Sequence, residues 1–285
     1  MNQSTILLLD PDPRPGTLLA NRLNAKVVAC RTIEEMWAYS AEHPVAMVIG
    51  EVAISRDFDG LDALAEMQAK EIPVVVWTSR SIDELVGVAR MAGIGVVTAK
   101  TSPILLDELA LAWGLYQNGW EPGLEKFLGV GSQALGTECA AELDQVSALC
   151  RRVQSGLGGI LGSSRRLRLV LDELLSNAIH HSPVGTATMS WGRDTIKHVF
   201  SVRDPSGSLL PADTMKLLER HIRGEGLLDS RGRGLHLSRI YADRLYINVV
   251  PGVVTEVVAV FWNHPGSFQG FKPVWMLRTY QALEG

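Results

Sequence analysis

Apolar residues in the first 117 positions fall into short β-branched runs separated by longer stretches with helical spacing. The runs at 5–9, 26–30, 45–50, 73–77 and 95–98 predict five strands, because each is short, rich in Val, Ile and Leu, and bounded by turn residues. Between them, positions 15–23, 33–42, 61–70, 82–91 and 103–116 repeat apolar residues three and four apart and predict helices, with Pro or Gly at the joints. Regular alternation of strand and helix predicts a parallel sheet whose functional edge lies at the carboxyl ends of the strands.

The rhythm changes after the loop-forming cluster at 118–123. Long helices are expected at 140–153 and 164–180, and strands at 186–191, 197–203, 246–250 and 253–262. Helices grouped ahead of strands predict an α/β sandwich with one helical face. The resulting division is a first domain over 1–118, a linker over 119–127, a second domain over 128–263 and a tail over 264–285, read as a docking segment. Trp191, Trp262 and Trp275 are read as packing aromatics.

Composition narrows this picture without changing it. With 46% apolar and 20% charged residues, both halves have enough apolar material for a core. A formal net charge of -4 supplies no basic field for nucleic acid, so no direct nucleic-acid partner is expected. The opening apolar run ends at Asp10, too short for a secretion signal, and no stretch approaches the roughly 20 apolar residues of a membrane-spanning helix. Cys30, Cys139 and Cys150 lack CxxC spacing and read as reduced, mostly buried thiols. A cytoplasmic protein without membrane contact is the expectation.

The order and punctuation of residues 5–117 predict a flavodoxin-like domain and resemble a response-regulator receiver. Asp59-Gly60-Leu61, Pro73, Thr78, Met91-Ala92-Gly93 and Lys100 fall where receivers keep such residues. Receiver chemistry needs carboxylates for Mg²⁺, an acceptor Asp, a hydroxyl and a Lys. Here Glu51 stands at the acceptor position, and Asp10 is followed by Pro11, whose ring offers no oxygen. Asp12 is a displaced substitute, Val97 replaces the usual switch aromatic, and Thr101 stands where receivers place Pro. The resemblance therefore implies a pseudo-receiver with no metal. Glu51 either makes a standing contact with Lys100 that imitates a phosphorylated state, or is a solvated strand-end residue on a docking scaffold. An exposed ion pair is worth only about 0–1 kcal/mol, too little to lock a state.

In the second half, Glu173 and Asn177 are four apart on an expected helix and share a face, an arrangement suited to one residue moving a proton beside another holding a metal. Asp204 closes an apolar strand, where its carboxylate could accept from an adenine amino group. Gly232 and Gly234 open a further helical pattern running to Leu245, and their N–H groups would favour phosphate. These three boxes resemble the GHKL ATPases across roughly residues 128–263, and within them the anti-sigma-factor serine kinases. Glu173, Asn177 and His181 match one motif, Gly232 to Asp243 another, and Gly252 to Thr255 the closing strand, with a short lid between Leu209 and Arg231.

The resemblance implies Mg·ATP as cofactor, Asn177 on the metal and Glu173 as general base toward a protein serine. It implies an ATP site of Asn177, His181, Asp204, Ser206, Gly207, Arg231, Gly232, Gly234, Leu235 and Thr255, with Arg231 and Arg233 as candidate phosphate partners. Ser206 and Ser208 depart from it, standing where glycines are usual. The implied partners are a sigma factor or its antagonist, with homodimerisation, acting by partner switching. A non-catalytic adaptor is the alternative. A sensor histidine kinase is the weaker rival, because no His lies between His43 and His180 to serve as acceptor.

Overall fold

The structure, a computed structural model, describes residues 4–56, 58–80, 85, 87–89, 92–102, 104–117, 123–129, 131–157, 164–209, 233–263 and 274–277. The chain divides into two compact units, one built on Met1–Trp120 and the other on Glu121–Leu277.

In the first unit, β1 (Thr5–Leu9), β2 (Lys26–Cys30), β3 (Met47–Gly50), β4 (Val74–Thr78) and β5 (Val97–Ala99) form a parallel sheet in the order β2-β1-β3-β4-β5. That is the flavodoxin-like order. The centre of the sheet is covered on both faces, which is why β1 is buried at all five positions and reads as a continuous apolar run. The helices described over their whole length are α1 (Pro15–Leu23), α2 (Ile33–Glu42), α3 (Asp59–Ala69) and α4 (Leu105–Gln117). Pro15 starts α1, where its missing N–H costs nothing, and Asn24 ends it in the left-handed region at φ 48°. Thr32 caps α2 by accepting from Glu35 N–H, while the Glu35 carboxylate accepts from Arg31 N–H at 2.6 Å. The Asp59 carboxylate accepts from the backbone N–H groups of Ile54, Ser55 and Arg56 and pins the loop that follows β3.

In the second unit, β6 (Gln133–Ala140), β7 (Ala187–Arg193), β8 (Lys197–Asp204), β9 (Arg244–Val250), β10 (Val254–Trp262) and β11 (Val274–Leu277) form one sheet in the order β11-β9-β10-β8-β7-β6. Helices α5 (Leu143–Leu157) and α6 (Arg165–His181) bury one side each against it, and α7 (Arg233–Tyr241) lies against α6. On α6 the buried residues Leu167, Val170, Leu171, Leu174, Leu175 and Ile179 recur at helical spacing, and Ser164 caps the helix by accepting from Leu167 N–H. Each such side chain contributes about 1.5–3 kcal/mol by burial.

Several expectations are corrected here. Residues 123–127 are not linker: Leu124–Phe127 is a 3₁₀ turn with both ends buried, and Gly123 N–H donates to the buried Glu256 carboxylate at 3.2 Å. β6 is a strand that the apolar spacing does not predict. Val274–Leu277, expected within a docking tail, is instead a strand paired in parallel with β9. The helical pattern expected to reach Leu245 stops at Tyr241, and Leu245 is buried in β9. Trp191, Trp262 and Trp275 are all buried, as packing residues should be. Cys30 and Cys150 are buried thiols, whereas Cys139 is exposed on β6. Among the described residues no helix is long and apolar enough to cross a membrane.

Candidate functional site

Each unit brings a group of the expected residues together. In the first, Leu9 of β1 pairs with Gly50 of β3, so the next residue of each strand, Asp10 and Glu51, stand side by side. Thr78 ends β4 and Lys100 follows β5. The Lys100 ammonium lies 2.6 Å from Asp10 Oδ2 and 2.9 Å from Glu51 Oε2. Glu51 Oε1 accepts from the Thr78 hydroxyl at 2.7 Å and Val52 N–H at 2.8 Å, and Oε2 accepts from Ser79 N–H and its hydroxyl at 3.1 Å. Glu51 is 4% exposed. The solvated strand-end alternative is therefore set aside, and the worth of an exposed ion pair no longer applies.

Burial by itself pushes the Glu51 carboxyl up, but Thr78, Lys100, Ser79 N–H and Val52 N–H together outweigh it and hold the group below its ordinary value. Asp12 does not join the cluster. Its exposed carboxylate is paired with Arg14 at 2.6 Å, and the guanidinium holds it down at about 2. Only its backbone reaches inward, where Asp12 N–H donates to Asp10 Oδ1 at 2.9 Å.

Two cluster members escaped the sequence reading. Trp77, read only as a strand residue, donates its indole N–H to Asp10 Oδ2 at 3.0 Å while Lys100 lies over its ring at 5.2 Å. Ser79 is marked only by its place after Thr78 at the strand end.

The arrangement satisfies an ammonium and two carboxylates internally, and it offers no carboxylate oxygen at position 11. Treatment of the full chain with acetyl phosphate and Mg²⁺ is therefore expected to label neither the native protein nor Glu51→Asp, read as a mass increase on the intact chain. Efficient labelling of Glu51→Asp would overturn this reading.

In the second unit, a cavity of about 330 Å³ opens between α6 and the sheet. Asn177, His181, Asp204, Leu235 and Thr255, all expected site residues, line it together with Ser208 and the apolar side chains Leu174, Val202, Ile247 and Val257. Asp204 and Thr255 face each other across β8 and β10 in direct register. Thr255 is 7% exposed, and its hydroxyl finds no hydrogen-bond partner among the described residues. A buried hydroxyl left unsatisfied costs about 1–3 kcal/mol, so this one marks a place for a ligand group or a water.

Asp204 is 5% exposed and accepts from Ser206 N–H at 3.0 Å and from the Ser206 and Ser208 hydroxyls. Burial pushes its carboxyl up, yet the hydroxyls of Ser182, Ser206 and Ser208 and the Ser206 N–H hold it below its ordinary value. At His181, burial and then the neighbouring His180 lower the imidazole below its ordinary value.

Glu173 does not line the cavity but lies next to it. A Cβ on Gly234 would come within 2.2 Å of Glu173 Oε2 and 2.8 Å of Asn177 Nδ2. A side chain at position 234 would make the ends of Glu173 and Asn177 shift. Ser206 and Gly207 form the turn behind Asp204. Arg231, Gly232 and the lid beyond Leu209 lie outside the described residues, as does the side chain of Arg233.

No protein-family model matches the chain. Solved structures similar to its amino-terminal part include a response regulator from Thermotoga maritima, 16% identical over 41% of this chain and 98% of that one, with a TM-score of 0.36. A response regulator receiver protein from Pseudoalteromonas atlantica is 17% identical over 41% and 99%, also at 0.36. DrrB, an OmpR/PhoB homologue of Thermotoga maritima, is 21% identical over 43% and 56%, again at 0.36. At these values the functional reading rests on the residues of this chain.

Proposed function

We propose that this chain is a signal-transduction regulator in which the second unit binds Mg·ATP and the first acts as a receiver-like domain that needs no phosphorylation. The observation that carries the reading is the cavity with Asp204 and the unsatisfied Thr255 hydroxyl side by side at its base. An acceptor beside a hydroxyl suits the edge of a purine, and the apolar wall suits its face.

Asn177 fits the metal-side role, since its amide borders both the cavity and the Gly234 approach. Among the described residues no group of three His, Cys, Asp or Glu could hold a metal ion by itself. Asn177 would therefore share Mg²⁺ with phosphate and water oxygens, as this ion ordinarily requires. When bound, the nucleotide supplies a transferable phosphoryl group. Glu173, one turn before Asn177, would take the proton of a protein serine. The finer reading is a serine kinase of the anti-sigma-factor type, a homodimer switching between a sigma factor and its antagonist. Adaptor function without catalysis is favoured instead by the serine hydroxyls that already occupy Asp204.

Calorimetric titration of the full chain with ATP and Mg²⁺ tests the reading. Metal-dependent binding is expected, weakened about tenfold or more in Asn177→Ala, as for loss of a bond to a charged group. Absence of binding in both proteins would sink it. Phosphoryl transfer to serine of a partner, lost in Glu173→Gln with ATP affinity retained, would identify the kinase; binding without transfer would leave the adaptor.

A further inference from the structure

We infer that the first unit binds a small neutral molecule, largely apolar and carrying one hydrogen-bond acceptor oxygen, in a cavity between α1 and α4, with that oxygen on the Lys100 ammonium. The inference is independent of the nucleotide reading of the second unit.

A cavity of about 540 Å³ opens there, large enough for a small ligand. Its apolar walls are Leu18 and Leu19 of α1, Leu105 and Leu106 of α4, and the Trp77 ring of β4. It has depth, because Leu19 is fully buried and Trp77 is 3% exposed, whereas Leu18 is 55% exposed and stands at the mouth. Open α/β sheets hold their ligands outside the carboxyl ends of their strands, and Trp77 and Lys100 stand at those ends of β4 and β5.

The polar groups of the wall decide what fits. Asp10 and Glu51 satisfy the charge of Lys100, at 2.6 and 2.9 Å, but an ammonium has three N–H donors. Among the described residues no third acceptor meets it. Beyond the two carboxylates lies the Trp77 ring, 5.2 Å from the ammonium and itself a wall of the cavity. The Lys100 side chain is 25% exposed and borders the same space, so its remaining donor is open to a ligand oxygen. The Ser102 hydroxyl also borders the cavity, but it is held 3.3 Å from the buried Glu108 carboxylate. Arg22 and Asp107 pair with each other across α1 and α4. An anion on Lys100 would face two carboxylates behind one ammonium, and a cation would meet Lys100 and Arg22 first. Either contact is costly where little water screens it. A neutral carbonyl or ether oxygen takes the open donor without adding charge, and the leucines and the indole cover the rest of the molecule. A first unit that takes no phosphate thus has a small molecule as its input.

Three fluorescent probes that share one body test this. Prodan is a neutral dimethylaminonaphthalene with a single ketone, the parent dimethylaminonaphthalene lacks the ketone, and dimethylaminonaphthoate carries a carboxylate in its place. Anisotropy titration of the full chain is expected to show prodan binding about tenfold tighter than either of the others. The parent forgoes a bond to a charged donor, and the naphthoate meets like charge. Leu18→Asp, and Leu18→Asn without the charge, should each weaken prodan about tenfold or more by putting a polar group on the apolar wall. Circular dichroism of both variants should be native, since position 18 is exposed. Native prodan affinity in either folded variant would place the probe elsewhere and overturn the site. Naphthoate binding as tightly as prodan overturns the neutral ligand, and the parent binding as tightly overturns the part of Lys100. Absence of prodan binding overturns the inference as a whole, and none of these outcomes depends on ATP.

Discussion

Replacing Lys100 by methionine is expected to destabilise the first unit by about 3 kcal/mol, the range for breaking a buried charge network by removing one member. The ammonium lies within 2.9 Å of both Asp10 and Glu51, whose side chains are 3% and 6% exposed. Methionine keeps most of the stem's volume, so the loss isolates the ammonium and its contacts, the one over the Trp77 ring included. Two adjacent buried carboxylates would then repel, and one of them would take up a proton to relieve it. Native-state hydrogen exchange on the full chain, read in peptides covering β1 and β3, measures the effect without requiring either unit to unfold separately.

The same substitution should reverse the response to acid. In the native protein the folded Glu51 carboxyl sits below its ordinary value of 4.5. Its contribution is therefore complete above that value and is lost as pH falls through the folded one. In Lys100→Met, protonation instead removes repulsion, so the gap between the two proteins should narrow as pH falls through the carboxylate range. A gap independent of pH, or a cost under about 1 kcal/mol, would mean that the cluster behaves as an exposed pair.

Gly207→Ala is expected to cost the second unit about 3 kcal/mol, combining left-handed strain with a backbone clash. Gly207 has φ 57°, and a Cβ there would lie 2.3 Å from the Val250 carbonyl oxygen and 2.6 Å from Val253 N. Those atoms belong to the β9–β10 turn and cannot rotate away. Gly252 in that turn supplies the comparison, because it has φ 70° but nothing within 4 Å of its Cβ position. Gly252→Ala should therefore show the strain alone, about 1 kcal/mol. Denaturant unfolding of both variants separates the terms. Equal losses would show that the close approach of Gly207 to Val250 carries no energy. Because Gly207 belongs to the turn behind Asp204, its variant should also weaken ATP binding, whereas Gly252→Ala should not.

The elements with strong local patterns were legible from composition and spacing. The spans of α1 and α2 agree with their expected bounds because Pro15 and Thr32 mark where each helix can begin, a property of a few neighbouring residues. The strand ends carrying Asp10, Glu51, Thr78 and Lys100 were legible for the same reason. β6 was not, since an edge strand with most of its positions partly or fully exposed carries no apolar alternation. The Leu124–Phe127 turn and β11 also escaped, because four-residue segments acquire their burial only from the surfaces they cover.

By itself, then, the sequence determined the βα alternation, the identity of the residues at each strand end, and the absence of a carboxylate at position 11. These are local, set by periodicity and by side-chain chemistry at single positions. Only the tertiary structure decided that Glu51 is buried against Lys100 and Thr78, and that Ser206 fills Asp204 while Thr255 beside it stays unsatisfied. Those outcomes depend on the register between strands far apart in the chain and on the exclusion of water, and neither is written in the spacing of any one segment.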